Sequence, residues 1–432
     1  MKKLLMILLI LEFSFIYKVN AQKIVTLKDC YDHASASNAL AGEKAGYADI
    51  SKLKDENLAK GWLPTLDANG SFIYNSSVVD MRSVLGSLPI PGIANAIKPL
   101  PNEQYKVTLD INQVIYDGGA IKASREMEKA DLKINQMQTE TDLYKLRSQI
   151  NGYYFNLLLL ARQKDLLKNY LEIINKRLAS LKSGIENGVI LKTDADVMKS
   201  EQIKLEQQLT ENDIRRDAFL KILSELTGDR IDTSARLAEP QLKAELSYDL
   251  SRPELQLYDL RKEQLSSNLK VVQSKRLPKA YGFATLGYGN PPGSNFFKNE
   301  FEPYYVVGAS VKWNIFDWNK ARNEKKIISF QQSILDNRKN DLSDNLKRLL
   351  EAKSSEIQSI RAMIESDNEL IAIRKRITAA SESQYANGTL TATDYINELN
   401  SEKQAVINYE IHKINLTMAE IEYLNISGKE IE

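Results

Sequence analysis

Two aspartates carry the clearest chemical signal in the chain. Asp194 stands in "KSGIENGVILKTDADV" (182–197), and Asp394 stands 200 residues later in "ESQYANGTLTATDYIN" (382–397). Both stretches hold Asn-Gly, at 187–188 and 387–388, and Thr-Asp, at 193–194 and 393–394. A carboxylate in the first turn of a helix complements the helix dipole and helps to cap free N–H groups. Thr193 with Asp196 three residues on has the form of a capping box, which predicts a helix start at Thr193. Gly184 and Gly188 predict the end of the preceding helix. Gly388 and Gly188, each following an asparagine (Asn387, Asn187), are expected to take a positive backbone φ in two equivalent turns.

Other chemistry is thinly represented. The single cysteine, Cys30, excludes an intramolecular disulfide and a cysteine-based zinc cluster. The two histidines, His33 and His412, are too few and too far apart in sequence for a His-rich metal site. "GYGNPPG" (287–293) is glycine-rich but has no Gly-Lys-Ser/Thr after it, so it predicts a hairpin loop, not a phosphate cradle. Neither a nucleophile elbow nor HExxH occurs. We therefore expect no enzyme activity, no cofactor and no metal. Lys and Arg total 58 against 57 Asp and Glu, so no global basic field favours nucleic acid.

The elements that position the aspartates follow from proline. Prolines occur at 64, 89, 91, 99 and 101, and again at 240, 253, 278, 291, 292 and 303, leaving two long proline-free tracts. Such tracts permit long helices. A helix from Ala120 to Ser183 would be roughly 95 Å long, more than an ordinary globular helix and suited to a coiled coil or helical barrel. Its seam is Leu143, Leu146, Ile150, Tyr153, Leu157 and Leu160, continued by Leu167, Leu171, Ile174, Leu178 and Leu181. A second long helix from Lys320 would use Ile327, Phe330, Leu335, Leu342, Leu346 and Leu350. The returning helices close at Thr227-Gly228 and Ser427-Gly428, again 200 residues apart. This spacing indicates an internal duplication.

Between the helices the period changes to two. Tyr105, Val107, Leu109, Ile111 and Ile115 alternate with Lys106, Thr108, Asp110 and Asn112. Tyr305, Val307, Ala309, Val311, Trp313 and Ile315 alternate with Gly308, Ser310, Lys312 and Asn314. Two further strands follow Leu-Pro steps at 63–64 and 277–278, and Asp117 and Asp317 are placed to cap the long helices. Strands of this length with one apolar face suit a membrane-crossing barrel, with Val107, Leu109, Ile111, Val307, Val311 and Ile315 towards lipid. Four strands cannot close a barrel alone, so several chains must pool them. Residues 1–21 combine Lys2, Lys3 and an apolar run, and end in Val19-Asn20-Ala21, the pattern of a secretory signal. The expected organisation is a signal peptide (1–21), a first structural repeat (22–240) and a second of the same plan (241–432).

The duplicated plan, the Leu-Pro switches, "YDGGAIKAS" and "YANGTLTATDYINELNSEKQAVINYE" resemble the TolC family of outer-membrane efflux channels. The resemblance implies an α+β membrane protein: a long α-helical barrel of coiled-coil hairpins plus four transmembrane strands per chain in a shared trimeric β-barrel. It implies a homotrimer in outer-membrane lipid of a Gram-negative bacterium, with a periplasmic helical tunnel. A periplasmic adaptor (membrane fusion protein) and an inner-membrane pump would dock at the helical tips, and small molecules would pass without local energy input. It also implies that Asp394 is a constricting carboxylate, that Asp194 is its counterpart in the first repeat, and that Tyr385 links tips. Leu390 and Asn397 depart from the family pattern, where an arginine link and a second aspartate can occur; the constriction set is thus Asp194, Asp394, Asp196, Asn397 and Tyr385. The outer-membrane channel of a type I protein secretion system has the same architecture, and the sequence leaves both open. A periplasmic coiled-coil adaptor would lack the two strand pairs.

Overall fold

The structure is a computed structural model that describes residues 24–80, 99–186, 191–241, 247–295 and 298–431. The expected signal segment, and Asn187 and Gly188, lie outside the described residues. The elements are β1 (Ile24–Val25), α1 (Leu27–Ser37), α2 (Ala41–Ala59), a 3-10 turn (Lys60–Trp62), β2 (Thr65–Tyr74), β3 (Glu103–Tyr116), α3 (Ala120–Glu186), α4 (Lys192–Thr227), β4 (Arg236–Leu237), α5 (Pro253–Ser274), β5 (Lys279–Asn290), β6 (Glu302–Lys312), α6 (Lys320–Ala386) and α7 (Ala392–Ser427). The proline-free tracts are indeed long helices: α3 and α6 each have 67 residues, and α4 and α7 each have 36. Each member of a pair begins 200 residues after its counterpart.

Both long helices start as expected. Asp117 accepts from the backbone N–H of Gly119 (2.8 Å) and Ile121 (2.5 Å), and Asp317 accepts from that of Ala321 (3.0 Å). Each aspartate is followed by two residues of positive φ, Gly118 and Gly119 in one case, Trp318 and Asn319 in the other. Glycine takes that conformation freely, whereas an L side chain does so at a cost of about 1–2 kcal/mol. The turn geometry is therefore the same where the sequence is not.

Two compact units are present. One comprises the described residues of 1–44, 137–256 and 339–432, and the other the described residues of 45–136 and 257–338. These units take material from both halves of the chain, so they do not follow the boundary near 240 between the expected repeats. In the first unit, Leu143, Ile150, Leu157, Leu160, Leu167, Ile174 and Leu181 of the α3 seam are all buried. Ile150 and Leu157 join Leu27, Cys30, Tyr31, Leu220, Leu223 and Ile421 in one core, while Leu350, Ile357, Ile360, Ala419 and Tyr423 form another. In the second unit, Arg125 holds Asp55 through two nitrogens at 2.6 and 2.7 Å, and Lys262 meets Asp336 at 2.6 Å.

The second unit contains an antiparallel sheet in the order β2-β3-β5-β6. Its register aligns the faces across all four strands. One face carries Leu66, Val107, Leu109, Ile111, Leu286, Tyr305, Val307 and Val311; the other carries Asp67, Asn69, Lys106, Thr108, Asp110, Thr285 and Ser310. Asp110 accepts from Thr285 Oγ1 (2.6 Å), Asn69 Nδ2 (2.8 Å) and Thr108 Oγ1 (3.0 Å). Two expectations need correction. The last strand ends at Lys312, short of Ile315, because its partner strand begins at Lys279, just after Pro278, which has no N–H to give. In α6, Ile327 and Phe330 are exposed and are not part of the buried seam.

Candidate functional site

The ends of the two long hairpins form one apolar core. It contains Leu167, Tyr170, Ile174 and Leu181 of α3, Met198 and Leu205 of α4, and Ala392, Tyr395, Ile396 and Leu399 of α7. Leu390 and Tyr385 pack against it. The core therefore draws on both halves of the chain, so the two tips are fixed relative to each other by side-chain packing.

The second turn closes by backbone geometry. The N–H of Thr389 donates to Gln384 O (2.9 Å) and that of Gly388 to Tyr385 O (3.0 Å). Gly388 has φ +74°, as expected. This is the Schellman ending, which satisfies the last carbonyls of the helix. The next helix begins at Thr391, whose Oγ1 accepts from Asp394 N–H (3.1 Å) and donates to the Asp394 carboxylate (2.7 Å). Asp394 thus stands at the third helical position of a capped start.

The first turn differs. Gly184 lies inside the last turn of α3, which continues to Glu186, so it does not form the turn itself. The start of α4 is one residue earlier than Thr193, and its N-cap is Leu191, with no side-chain cap bond. The Thr193–Asp196 box is therefore absent: Thr193 is already helical. Leu191 occupies the place of Thr391, exactly one repeat spacing away, and a leucine has no oxygen to offer. Leu191→Thr should restore the cap and stabilise this helix start by about 0.5–2 kcal/mol. Slower amide hydrogen exchange at Asp194 and Ala195 would show it; unchanged exchange would mean that the first turn is held by other means.

Beside these caps lies a cluster that links the halves. The rings of Tyr385 and Tyr395 are stacked, with centroids 5.5 Å apart and planes 2° from parallel. Arg177 of α3 lies over the Tyr395 ring at 5.6 Å and forms an ion pair with Glu382 of α6. The Tyr385 hydroxyl is buried and has no hydrogen-bond partner among the described residues. Burial pushes its pKa above the ordinary tyrosine value, and the Asp194 carboxylate pushes it the same way. Burial also raises Tyr395, with Glu382 adding to it. Further along, Lys403 of α7 meets Glu201 of α4 at 3.1 Å, with both side chains largely buried.

The structure thus brings Asp194, half-buried, close to Tyr385. Asp196, Asp394 and Asn397 are exposed, and the last two share a helix face by their spacing. Sequence reasoning missed Arg177, Glu382, Tyr395, Glu201 and Lys403. The repeat gives no hint of them, because Ile377 stands opposite Arg177, and Ser401 and Ile203 opposite Glu201 and Lys403. Among the described residues, no helix is long and apolar enough to cross a membrane, and no group of three or more His, Cys, Asp or Glu is placed to hold a metal ion.

Comparison with known proteins gives the fold a context. The family model described as "Outer membrane efflux protein" matches residues 57–229. The outer membrane protein VceC of Vibrio cholerae is similar with a TM-score of 0.65 and 14% identity, over 94% of this chain and 97% of VceC. CusC is similar with a TM-score of 0.67 and 12% identity, over 96% of each chain. The CmeC outer membrane channel of Campylobacter jejuni is similar with a TM-score of 0.63 and 14% identity, over 93% of this chain and 85% of CmeC. No curated protein sequence matches the chain. Residues 57–229 are thus similar to the outer membrane efflux protein family, and the chain as a whole shares the fold of VceC, CusC and CmeC.

Proposed function

We propose that three copies of this chain form an outer-membrane channel that passively conducts exported small molecules. Four strands from each copy close a 12-stranded barrel in the outer membrane of a Gram-negative bacterium. The long hairpins continue it as a periplasmic tunnel, and the tips meet a periplasmic adaptor and, through it, an inner-membrane pump. The observation that carries this reading is the sheet. Its apolar face is exposed (Val107 64%, Val307 73%, Val311 73%), and β2 and β6 each have a neighbour on one side only. In lipid such edges need partners, and closing the sheet with further copies supplies them. Aromatic residues flank the apolar band: Tyr74, Tyr105, Tyr288 and Tyr305 towards one end, Tyr116, Trp313, Phe316 and Trp318 towards the other. That is the girdle pattern of a transmembrane barrel.

The helices support association too. On α6, Ile327 and Ile334, and further along Met363, Leu370 and Ile377, are exposed, with steps of seven within each set. A second apolar stripe on a helix that already buries one suits a neighbouring helix, here from another copy. The two halves, 22–240 and 241–432, are two copies of one plan in this reading, supported by the equal helix lengths. The narrow end of the tunnel is assigned to Asp194, Asp394, Asp196, Asn397 and Tyr385, with the turn at Asn387 and Gly388 facing the adaptor. Native mass spectrometry in detergent should find three copies. A stable monomeric or dimeric channel would overturn the reading.

A further inference from the structure

The polar face of the sheet has two unlike halves. On the hairpin of β2 and β3 it presents Asp67, Asn69 and Ser71 opposite Asp110, Thr108 and Lys106. On the hairpin of β5 and β6 the same face presents Phe283, Thr285 and Gly287 opposite Gly308, Val306 and Tyr304. Phe283 and Tyr304 are thus each paired with a glycine. A Cβ added to Gly308 would lie 2.5 Å from Phe283 Cζ, and one added to Gly287 would collide with the far end of the Tyr304 ring. Gly293 closes on the same ring: its Cβ would lie 2.9 Å from Tyr304 Cδ2. Both rings therefore reach sideways over a neighbouring backbone and lie along the sheet, where only glycine leaves room.

Acidic groups adjoin these rings. Thr285 sits between Phe283 and Gly287 and donates to Asp110 at 2.6 Å. Asp67 is directly opposite Asp110 in the register. The lysines of this face stand away from the middle: Lys106 beyond Thr108, and the paired Lys279 and Lys312 at the end nearest the helices. The centre of the face is thus two carboxylates beside two flat-lying rings.

We propose that this patch is a transit site for small aromatic cations. Phe283 and Tyr304 would take the ring system by stacking and by attraction of the cation to their π faces, while Asp110 and Asp67 would take the charge. The inference rests on the reading that this face lines the channel, and it narrows the cargo to planar, positively charged small molecules. Such a site must hold its cargo weakly, because a channel has to release what it binds.

The test uses the full-length protein in planar bilayers, with ethidium as the aromatic cation and tetrapropylammonium as the non-aromatic one. The half-blocking concentration is expressed against the open current of each variant. Ethidium should interrupt the current at concentrations where tetrapropylammonium does not. Phe283→Ser with Tyr304→Ser should raise the half-blocking concentration of ethidium about tenfold. Asp110→Asn should raise it as well. Where the serine pair fails to assemble, Phe283→Leu with Tyr304→Leu keeps the apolar bulk, removes the π faces and should give the same shift. An unchanged half-blocking concentration in a conducting variant that lacks the Phe283 and Tyr304 rings would overturn the transit site and leave the channel reading intact. No channel from the wild-type protein would overturn the channel reading itself.

Discussion

Val307→Arg should prevent assembly of the channel, whereas Ser310→Arg should be tolerated. Val307 is 73% exposed on the apolar face, paired with Ala284 and in line with Ile111 and Leu66 through the shared register. Ser310 lies three residues on and on the opposite face, paired with Tyr281. An arginine near the bilayer midplane costs about 2–4 kcal/mol per site, and a threefold barrel would bear that cost about three times over. An arginine on the polar face would meet water, so its cost is small. The yield of detergent-resistant oligomer in the outer-membrane fraction measures the difference. Equal yields from the two variants would mean that the apolar face does not meet lipid.

The faces of the sheet were legible because alternation of two has only one structural solution. Val107, Leu109 and Ile111 share a face wherever the strand pairs, so an eleven-residue pattern fixes it. The end of that pattern was not legible. Trp313 and Ile315 continue the alternation beyond Lys312, yet they are no longer in the strand. Apolarity there follows the surface, since both remain exposed, and pairing stops because Pro278 ends the partner strand. A similar limit applies to α6. The sequence shows that Ile327 and Phe330 lie on an apolar stripe, but not what covers it. Among the described residues nothing does.

The candidate site was legible only in part, for a related reason. The 200-residue offset located both tips, and Asp117, Asp317 and Gly388 behave as their chemistry requires. It misled at Thr193, where the Thr-x-x-Asp spacing of a capping box occurs two residues out of phase with its true counterpart, Thr391 to Asp394. A local motif cannot reveal that the same turn is capped in one copy and uncapped in the other. The groups that join the two halves, Arg177 with Glu382 and Lys403 with Glu201, have no counterpart 200 residues away. They depend on where two distant helices meet, which the repeat pattern does not encode.

The asymmetry of the tips bears directly on the proposed constriction. Asp394 has two roles open to it: it completes the cap on Thr391, and it is exposed to whatever passes. Asp194 has no cap partner in Leu191 and is half-buried near Tyr385. Alanine at either position would confound loss of charge with loss of helix start. Asparagine separates them, because its amide oxygen can still accept from Thr391 while the negative charge is gone. In a trimer each aspartate becomes a ring of three, and acidic rings in a narrow pore favour cations and hold multivalent ones. An inert trivalent cation added on the tip side should therefore block the wild-type channel in planar bilayers. Asp194→Asn with Asp394→Asn should raise the blocking concentration by at least about tenfold and weaken cation preference. Asp394→Asn alone should account for most of the shift, since the exposed ring is the one a hydrated ion reaches first. Retained oligomer and helix content in the double variant would show that the cap survived. If that variant keeps the wild-type block and selectivity, the two aspartates serve only their helices, and the constriction is formed by the apolar packing of Leu390 and Tyr385 against the tip core.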